Sequence, residues 1–333
     1  MWLPKKAFWS PQSLILDITN NCNLQCIMCR PQLLKRNNIS WSFTDFLVAT
    51  EHFSPRSASL GGTGEPFLNK NLGEIVEHLS SKEIKPIVNT NGTLLNSAGS
   101  WLQKVHLIKV SLDAANEKTY EIIRKNTNFL EILSNIRKIV NLKVCRVRLE
   151  YVVMSTNYKE LTDFVQLTKE LAVEGAFFRL YQGMDLPEDL DRKFREVPEI
   201  ERELRRANRE AKSLNVKSNL PDLCKKFDYI RSRYARTKVD DERKRHTCLL
   251  PWSQLFIRAD GEVSPCCDLL EIGHKSVGNV FKDKNVWNST KMKDLRTIFR
   301  ERKNYDLYET CQSCEFLDWR QILKWTKLVP RWF

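Results

Sequence analysis

The chain has no long apolar run and no amino-terminal secretory pattern. No uninterrupted apolar stretch approaches the ~20 residues that a helix needs to cross a bilayer, and the sequence does not open with a signal peptide. Internal repeats and low-complexity segments are also absent from its 333 residues. We therefore expect neither a membrane-spanning nor a secreted protein, but a cytoplasmic one with a large domain and a small appendage.

The ten cysteines do not follow the pattern of a small disulfide-stabilised protein, because the chain is long and seven of the thiols fall into two sets. Clustered thiols of this kind indicate metal or iron-sulfur sites in a reducing compartment. We expect Cys145 and Cys224, which lie outside both sets, to be ordinary buried thiols.

The first cysteine set directly follows a strand-like run at residues 13–19. It reads CNLQCIMC and contains Cys22, Cys26 and Cys29. A site closed by local ligands needs four, and no fourth Cys or His lies near this loop. Three ligands on a 4Fe-4S cluster leave one iron open to hold a small molecule. A zinc knuckle completed by a distant residue and a chance grouping are the alternatives.

The second cysteine set contains enough thiolates to close a cluster completely. Its members are Cys248, Cys266, Cys311 and Cys314. The first two flank a predicted hairpin with its turn at Asp260 and Gly261, and the last two form a CxxC pair. A structural zinc ribbon is the alternative, because zinc and iron-sulfur clusters both accept four thiolates.

Cys267 complicates the second set, because it directly follows Cys266. It can replace Cys266 as a ligand, or stand near the substrate as a hydrogen-atom donor and so belong to the catalytic residues. The third possibility is a half-buried thiol that only packs.

The first set resembles the cluster loop of the radical S-adenosylmethionine (radical SAM) enzymes. The stretch CLLPWSQLFIRADGEVSPCC, followed by GNVF, VWN and CQSC, resembles the twitch domain, the short form of the SPASM domain of that superfamily. The resemblance implies three cofactors: a SAM-binding 4Fe-4S cluster on three cysteines, an auxiliary 4Fe-4S cluster on four cysteines, and SAM itself. It also implies an external one-electron donor such as flavodoxin or ferredoxin.

Between the two cysteine sets, strand-like runs alternate with amphipathic helices, which predicts an α/β fold with a parallel sheet. The predicted strands are residues 13–19, 58–61, 85–90, 106–112, 146–154 and 176–181. One predicted helix carries an apolar stripe of Phe129, Leu130, Ile132, Leu133, Ile136, Ile139 and Val140. The resemblance implies a partial (β/α)6 TIM-type barrel with its site at the carboxyl ends of the strands, followed by a twitch domain of a β-hairpin plus a helix.

Three segments follow from this pattern. Residues 1–240 are predicted to form the barrel, with a basic helical extension at 187–240. Residues 241–316 form the twitch domain that holds the auxiliary cluster, and 317–333 form a basic aromatic C-terminal helix.

The segment GGTGEPFLN follows the second predicted strand and resembles the family element that holds the amino group of SAM. Glycine permits close backbone approach and a carboxylate accepts hydrogen bonds from an ammonium group, so Gly62, Gly64 and Glu65 are the candidates. Thr63 is an extra residue relative to the shortest form of the element. Met28, beside the third cysteine, takes a position where the family often has an aromatic residue against adenine.

Two further strand ends, VNTNG and SLDA, resemble family segments near the SAM ribose. Strand alternation predicts that Asn89, Asn91, Ser111 and Asp113 face the barrel lumen. Ordinary turn chemistry is the alternative explanation for these residue types. Asn157 matches a recurrent asparagine after the fifth strand and also suits a helix cap.

The fifth and sixth predicted strands carry polar residues among apolar ones. Alternation places Arg148, Glu150, Arg179 and Tyr181 toward the lumen, where they can bind a polar substrate or supply a general base. A salt bridge that fills the barrel is the alternative.

The formal net charge is +13, and residues 192–246 contain 18 Lys and Arg against 10 Asp and Glu. This surplus indicates either a solvated helical face or attraction of an anionic substrate. The interleaved glutamates argue against a nucleic-acid-binding stripe. The amphipathic tail at 317–333 can contact a membrane surface or a partner, although packing on its own domain is the more common outcome.

The resemblance implies reductive cleavage of SAM, a 5'-deoxyadenosyl radical and abstraction of a substrate hydrogen atom. A closed auxiliary cluster suits acceptance of an electron from the substrate radical. The single-cluster twitch arrangement is similar to that of the cyclitol dehydrogenase of aminoglycoside biosynthesis, so the leading expectation is oxidation of a sugar, cyclitol or similar alcohol. A peptide-modifying enzyme and a non-catalytic iron-sulfur or zinc protein that binds nucleic acid are the alternatives.

Overall fold

The computed structural model describes residues 4–29, 37–181, 198–225, 248–266 and 276–301. Three of the candidate cysteines, Cys267, Cys311 and Cys314, lie outside these residues. The predicted tail at 317–333 and parts of the basic extension at 187–240 lie outside them as well.

A ten-stranded sheet forms the centre of the described structure. Its strands are β1 (Ser13–Leu16), β2 (Ser57–Leu60), β3 (Lys85–Thr90), β4 (Leu107–Ser111), β5 (Arg146–Val153), β6 (Gly175–Leu180), β7 (Lys217–Ser218), β8 (Gln254–Ile257), β9 (Glu262–Ser264) and β10 (Gly278–Asn279). The spatial order is β10-β9-β8-β1-β2-β3-β4-β5-β6-β7. Strands β1 to β7 pair in parallel and in sequence order, as a partial (β/α)6 barrel with one added short strand requires.

Helices connect the parallel strands. The described helices are α1 (Phe43–Thr50), α2 (Leu72–Ser81), α3 (Glu117–Ile123), α4 (Phe129–Leu142), α5 (Leu161–Glu170), α6 (Pro198–Ser213) and α7 (Thr290–Glu301). Local capping interactions mark where several helices begin. Ser42 and Asp45 form a capping box at the start of α1. Asn128 accepts a hydrogen bond from the backbone of Glu131 at the start of α4.

The six strands predicted from hydrophobic pattern are confirmed, with ends that differ by at most three residues. The predicted helical stripe is confirmed as α4, which buries Ile132, Leu133, Ile136 and Ile139. One member of the stripe is wrong: Leu130 is 61% exposed. Because an α-helix turns 100° per residue, a position directly after Phe129 faces away from the sheet.

The predicted hairpin is confirmed as β8 and β9, which pair antiparallel. Gly261 at its turn has φ +82°, a conformation that glycine adopts without strain. Strand β8 pairs in parallel with β1, so the hairpin extends the barrel sheet beyond its first strand.

The main apolar core lies between the sheet and its helices and includes Leu14, Leu60, Val88, Val110 and Leu149. Because the first six strands run in parallel, the loops after them meet at one edge of the sheet. That edge carries the predicted site. None of the described helices is long and apolar enough to span a bilayer.

Candidate active site

A cavity of about 250 Å³ opens at the carboxyl ends of β1 to β4. Its lining consists of Cys22, Leu24, Cys26, Met28, Cys29, Gly61, Gly62, Thr63, Gly64, Glu65, Asn89, Thr90, Asn91, Ser111 and Arg124. The structure therefore brings the three-thiol loop and most of the predicted SAM-binding residues together around one space.

The three-thiol loop follows β1 and is fixed by backbone hydrogen bonds. The Cys29 N–H donates to the Cys26 carbonyl over 3.0 Å, and the Ile27 N–H donates to the Ile123 carbonyl over 3.0 Å at the end of α3. Within the described ranges, no three Cys, His, Asp or Glu side chains converge closely enough to enclose a single metal ion. The three thiols line the cavity wall.

Nitrogen donors approach two of the three sulfurs. Asn91 Nδ2 lies 3.9 Å from Cys22 Sγ, and Arg124 Nη1 lies 3.6 Å from Cys26 Sγ. Hydrogen bonds to cluster sulfurs are one of the means by which proteins set cluster potential.

The glycine loop after β2 passes against the cysteine loop at Gly64. A Cβ atom at this position would lie 2.2 Å from the Thr19 carbonyl oxygen and 2.6 Å from the Asn21 carbonyl oxygen. The Glu65 N–H donates to the same Asn21 carbonyl over 2.7 Å. Glycine is therefore required for the two loops to approach each other.

Thr63, the extra residue of this loop, binds Asp17 at the end of β1. Its N–H donates to Asp17 Oδ1 over 2.9 Å, and its hydroxyl donates to Asp17 Oδ2. Burial raises the pKa of Asp17 to about 6, although these hydrogen bonds lower it. The sequence analysis missed Asp17, a lone acidic residue just past an apolar strand.

Glu65 is buried at the floor of the cavity. Its carboxylate accepts hydrogen bonds from the Thr90 hydroxyl and the Asn91 N–H, each over 2.7 Å. Burial raises the pKa of Glu65 to about 7, against the lowering effect of these bonds and of one from Phe67. An ammonium group in the cavity would favour the ionised carboxylate.

The predicted ribose residues divide into two groups. Asn89, Asn91 and Ser111 line the cavity, and Asn89 Nδ2 donates to Ser59 Oγ over 3.0 Å. Asp113 is fully buried beneath the cavity instead. Asn157 makes no side-chain cap to the following helical turn; its side chain instead donates to the Asp113 carbonyl over 2.8 Å and accepts from the Met154 N–H over 2.7 Å.

Asp113 anchors Arg124, which the sequence analysis missed. Asp113 has a left-handed φ of 62°, and its Oδ1 accepts from the Val152 N–H over 2.6 Å. Its Oδ2 accepts from Arg124 Nε over 2.8 Å and also from Arg124 Nη2. No local pattern marks Arg124, because it caps the end of α3 and reaches the cavity only through the tertiary fold.

Three of the five predicted catalytic residues lie on the lumen side of β5 and β6. Arg148 donates to Glu150 Oε1 from Nε over 2.9 Å and from Nη2 over 2.6 Å. The guanidinium groups of Arg148 and Arg179 lie 4.9 Å and 5.3 Å from the ring centre of Phe177. The salt bridge weighed as an alternative is thus present, on the same face of the sheet as a cation-π pair.

Strand register places Arg148 and Glu150 on the same face of the sheet as residues that line the cavity. In β4, Lys109 pairs with Asn89 on one side and Arg148 on the other, and Ser111 pairs with Glu150. Directly paired residues point to the same side of a sheet, so Lys109 shares the lumen face. Burial lowers the pKa of Lys109 to about 7, against the attraction of Glu150. The alternation of side chains along β4 predicts that Lys109 faces the same side as Ser111, but the sequence analysis did not single it out.

Tyr181, the last predicted catalytic residue that the structure describes, follows β6 and is buried with Ile123 and Met154. Met28 of the cysteine loop packs against this small apolar group. The structure therefore places Tyr181 beside the loop that carries the first cysteine set.

Two cysteines of the second set lie within the described residues, and both pack with the main core. Cys248 precedes the turn that leads into β8, and Cys266 follows β9. Both therefore belong to the open end of the hairpin. Because β8 runs parallel to β1, this end lies at the opposite edge of the sheet from the first cysteine set.

The residues present suit the implied cofactors. Three thiols face one cavity, a glycine lets two loops approach each other, and a buried carboxylate lies within the same wall. These are the donors that a cluster with one open iron and an ammonium-bearing ligand need. The fold and the site together define an iron-sulfur enzyme built on a partial barrel.

Two family models match the chain. The Radical SAM superfamily model matches residues 16–168, and SPASM, described as an iron-sulfur cluster-binding domain, matches residues 248–315. The chain is thus a radical SAM enzyme with an auxiliary cluster domain. It binds SAM and carries a SAM-binding 4Fe-4S cluster together with an auxiliary cluster.

Curated relatives share modest identity with the chain. A probable GTP 3',8-cyclase of Methanocaldococcus jannaschii is 26% identical over 77% of this chain and 84% of the relative. A GTP 3',8-cyclase of Desulforamulus reducens is 30% identical over 50% of this chain and 54% of the relative. Molybdenum cofactor biosynthesis protein 1 of Dictyostelium discoideum is 24% identical over 76% of this chain and 41% of the relative.

Solved radical SAM structures share the fold. SuiB of Streptococcus suis bound to precursor peptide SuiA has a TM-score of 0.64 at 16% identity, over 96% of this chain and 74% of that one. Native anSMEcpe with AdoMet and the Cp18Cys peptide has a TM-score of 0.64 at 17% identity, over 96% and 97%. BtrN with AdoMet and 2-DOIA has a TM-score of 0.50 at 13% identity, over 93% and 94%.

The comparisons bear out the superfamily and not the expected likeness to the cyclitol dehydrogenase. The sequence relatives are named as GTP 3',8-cyclases rather than dehydrogenases. The cysteine patterns that suggested the likeness are shared across a superfamily, so they identify the cofactors but not the substrate.

Proposed function

We propose that this radical SAM enzyme abstracts a hydrogen atom from the alcohol-bearing carbon of a small, polar, anionic substrate. The substrate class is a sugar, cyclitol or similar alcohol that carries a phosphate or carboxylate. The observation that carries the proposal is the charged group on the lumen face of β4 to β6: Lys109, Arg148, Glu150 and Arg179.

Strand register supports a role for this group in holding a substrate beside the SAM cavity. Lys109 and Glu150 pair with Asn89 and Ser111, which line the cavity. Basic side chains bind an anion strongly where water is partly excluded, and Arg148 and Lys109 are both buried.

The reaction that fits an auxiliary cluster is a two-electron oxidation. Bound SAM and its cluster supply the 5'-deoxyadenosyl radical that takes the hydrogen atom. The auxiliary cluster, which the second cysteine set would hold, would accept one further electron, and loss of the hydroxyl proton would complete the oxidation to a ketone. Glu150 is the candidate acceptor of that proton, with Arg148 fixing its position.

A nucleotide is the second candidate substrate, because the named relatives act on GTP and one of them is matched over 84% of its length. A nucleotide also carries a sugar and an anionic group, so the same lumen residues would hold it. The two candidates differ in their products.

A substrate screen with the reconstituted, reduced holoenzyme tests the proposal. Sugar phosphates, aminocyclitols, GTP and peptides are compared by the 5'-deoxyadenosine formed and by product mass. A product two hydrogens lighter than its alcohol supports dehydrogenation, whereas a GTP product of unchanged mass supports cyclisation.

Two variants test whether the lumen arginine binds the anionic group of the substrate. Arg179→Met is expected to raise KM for the active anionic compound, and Arg202→Met, on an exposed part of α6, serves as the matched control. Stimulation of 5'-deoxyadenosine formation by a peptide alone would contradict the proposal.

A further inference from the structure

The guanidinium group of Arg124 lies between the buried carboxylate of Asp113 and the thiol sulfur of Cys26, a predicted cluster ligand. On one side, Asp113 accepts two hydrogen bonds from it. On the other side, Nη1 lies 3.6 Å from Cys26 Sγ. Arg124 is 7% exposed, so water screens its charge only weakly.

The anchor of Arg124 is itself held in place from two directions. The remaining oxygen of Asp113 accepts from the Val152 N–H over 2.6 Å, and the Asp113 carbonyl accepts from Asn157 over 2.8 Å. The cysteine loop that carries Cys26 is hydrogen-bonded to the end of α3, the helix that Arg124 follows, because the Ile27 N–H donates to the Ile123 carbonyl. The guanidinium group and the sulfur are therefore positioned by one connected network.

We propose that Arg124, positioned by Asp113, sets the reduction potential of the cluster held by Cys22, Cys26 and Cys29. Reduction adds one negative charge to a cluster. A fixed positive charge and an N–H donor beside a ligand sulfur stabilise that added charge, so they raise the potential. Arg124 thereby helps an ordinary cellular donor deliver the electron that starts the reaction.

The size of the effect follows from Coulomb's law. A unit charge at about 4 to 6 Å in an environment of intermediate dielectric constant changes the equilibrium constant of a one-electron reduction by about tenfold or more. The expected change refers to the enzyme without bound SAM.

The test is a redox titration of the reconstituted holoenzyme, followed by EPR without SAM. The signal of the three-thiol cluster is first identified by its change when SAM is added. Arg124→Met is expected to lower the potential, so that the equilibrium constant for reduction falls about tenfold or more. Arg124→Lys keeps the positive charge but not the planar guanidinium group. Its reduction potential is expected to lie between those of the wild type and Arg124→Met.

Controls separate this role from general effects. Lys125→Met removes the neighbouring positive charge at an exposed position and is expected to leave the potential unchanged. If Arg124→Met loses iron, the Arg124→Met/Asp113→Asn double variant, which leaves no buried unpaired charge, is titrated in its place and is expected to show the lower potential.

Two results would overturn the proposal. One is a potential equal to that of the wild type in an iron-replete Arg124→Met or double variant. The other is loss of the cluster in all three Arg124 variants, which would assign Arg124 a structural role instead.

Discussion

At the scale of single residues, two of the buried carboxylates of the site, Glu65 and Asp17, have different surroundings. Glu65 lines the cavity and is held by Thr90 and Asn91, whereas Asp17 holds the glycine loop through Thr63. Burial raises the pKa of both carboxyl groups. We expect Glu65 to contribute to ligand binding and Asp17 to the position of the loop.

Glu65→Gln is expected to weaken SAM binding about tenfold to hundredfold, because a charge-assisted hydrogen bond to the ammonium group becomes a neutral one. The fold should survive, since the Thr90 hydroxyl can reverse and accept from the new amide. Anaerobic calorimetry with SAM measures the change. Glu74→Gln, at an exposed position of α2, is the matched control, and equal affinity in both variants would contradict the assignment.

Asp17→Asn is expected to change how stability depends on pH. Because the pKa of Asp17 rises from 3.8 to about 6 on folding, the folded state holds its proton more firmly, and this contribution to stability is lost as pH rises through about 6. The variant should gain about 1 to 2 kcal/mol in unfolding free energy relative to wild type between about pH 5 and about pH 7.5.

Denaturant unfolding at the two pH values measures this difference, with Asp294→Asn at an exposed position of α7 as the control. A constant difference between Asp17→Asn and wild type across that pH range would show that Asp17 is not desolvated as the structure indicates.

At the scale of elements, the site depends on how closely two loops approach each other. The loop after β1 carries the thiols, the loop after β2 carries Glu65, and they meet at Gly64. Glycine is therefore required at position 64 for steric reasons, because a side chain there would push the two loops apart.

Gly64→Ala tests this requirement. Its Cβ would overlap backbone carbonyl oxygens, at 2.2 Å and 2.6 Å, which no side-chain rotation relieves. We expect SAM affinity and 5'-deoxyadenosine formation to fall at least about tenfold, because strain of about 1 to 3 kcal/mol must be relieved by moving the loops. Gly99→Ala, where the nearest atom is a Trp101 side-chain carbon at 3.2 Å, should retain both.

Sequence pattern predicted the elements well because strands and helices alternate with clear periods. It predicted the position of the cavity for the same reason, since motifs at successive strand ends of a parallel sheet must converge. It did not find Arg124, because a helix-terminal arginine carries no periodic signal. Nor could it separate Asp113, buried under Arg124, from Ser111, which faces the cavity two residues earlier.

At the scale of the whole molecule, one sheet connects the first cysteine set to Cys248 and Cys266, the members of the second set that the structure describes. The β8–β9 hairpin joins the barrel through β1, with the first set after β1 and the open end of the hairpin at the opposite edge. A four-residue strand spans about 13 Å. The length of these strands therefore separates Cys248 and Cys266 from the thiols of the first set.

The most direct test of this account is anaerobic reconstitution with iron and sulfide analysis, together with an assay for 5'-deoxyadenosine from SAM under reductant. We expect about eight irons per chain in the wild type. The Cys22→Ala/Cys26→Ala/Cys29→Ala variant should keep about four and form no 5'-deoxyadenosine. Zinc in place of iron, or a wild-type protein that leaves SAM intact, would contradict the account.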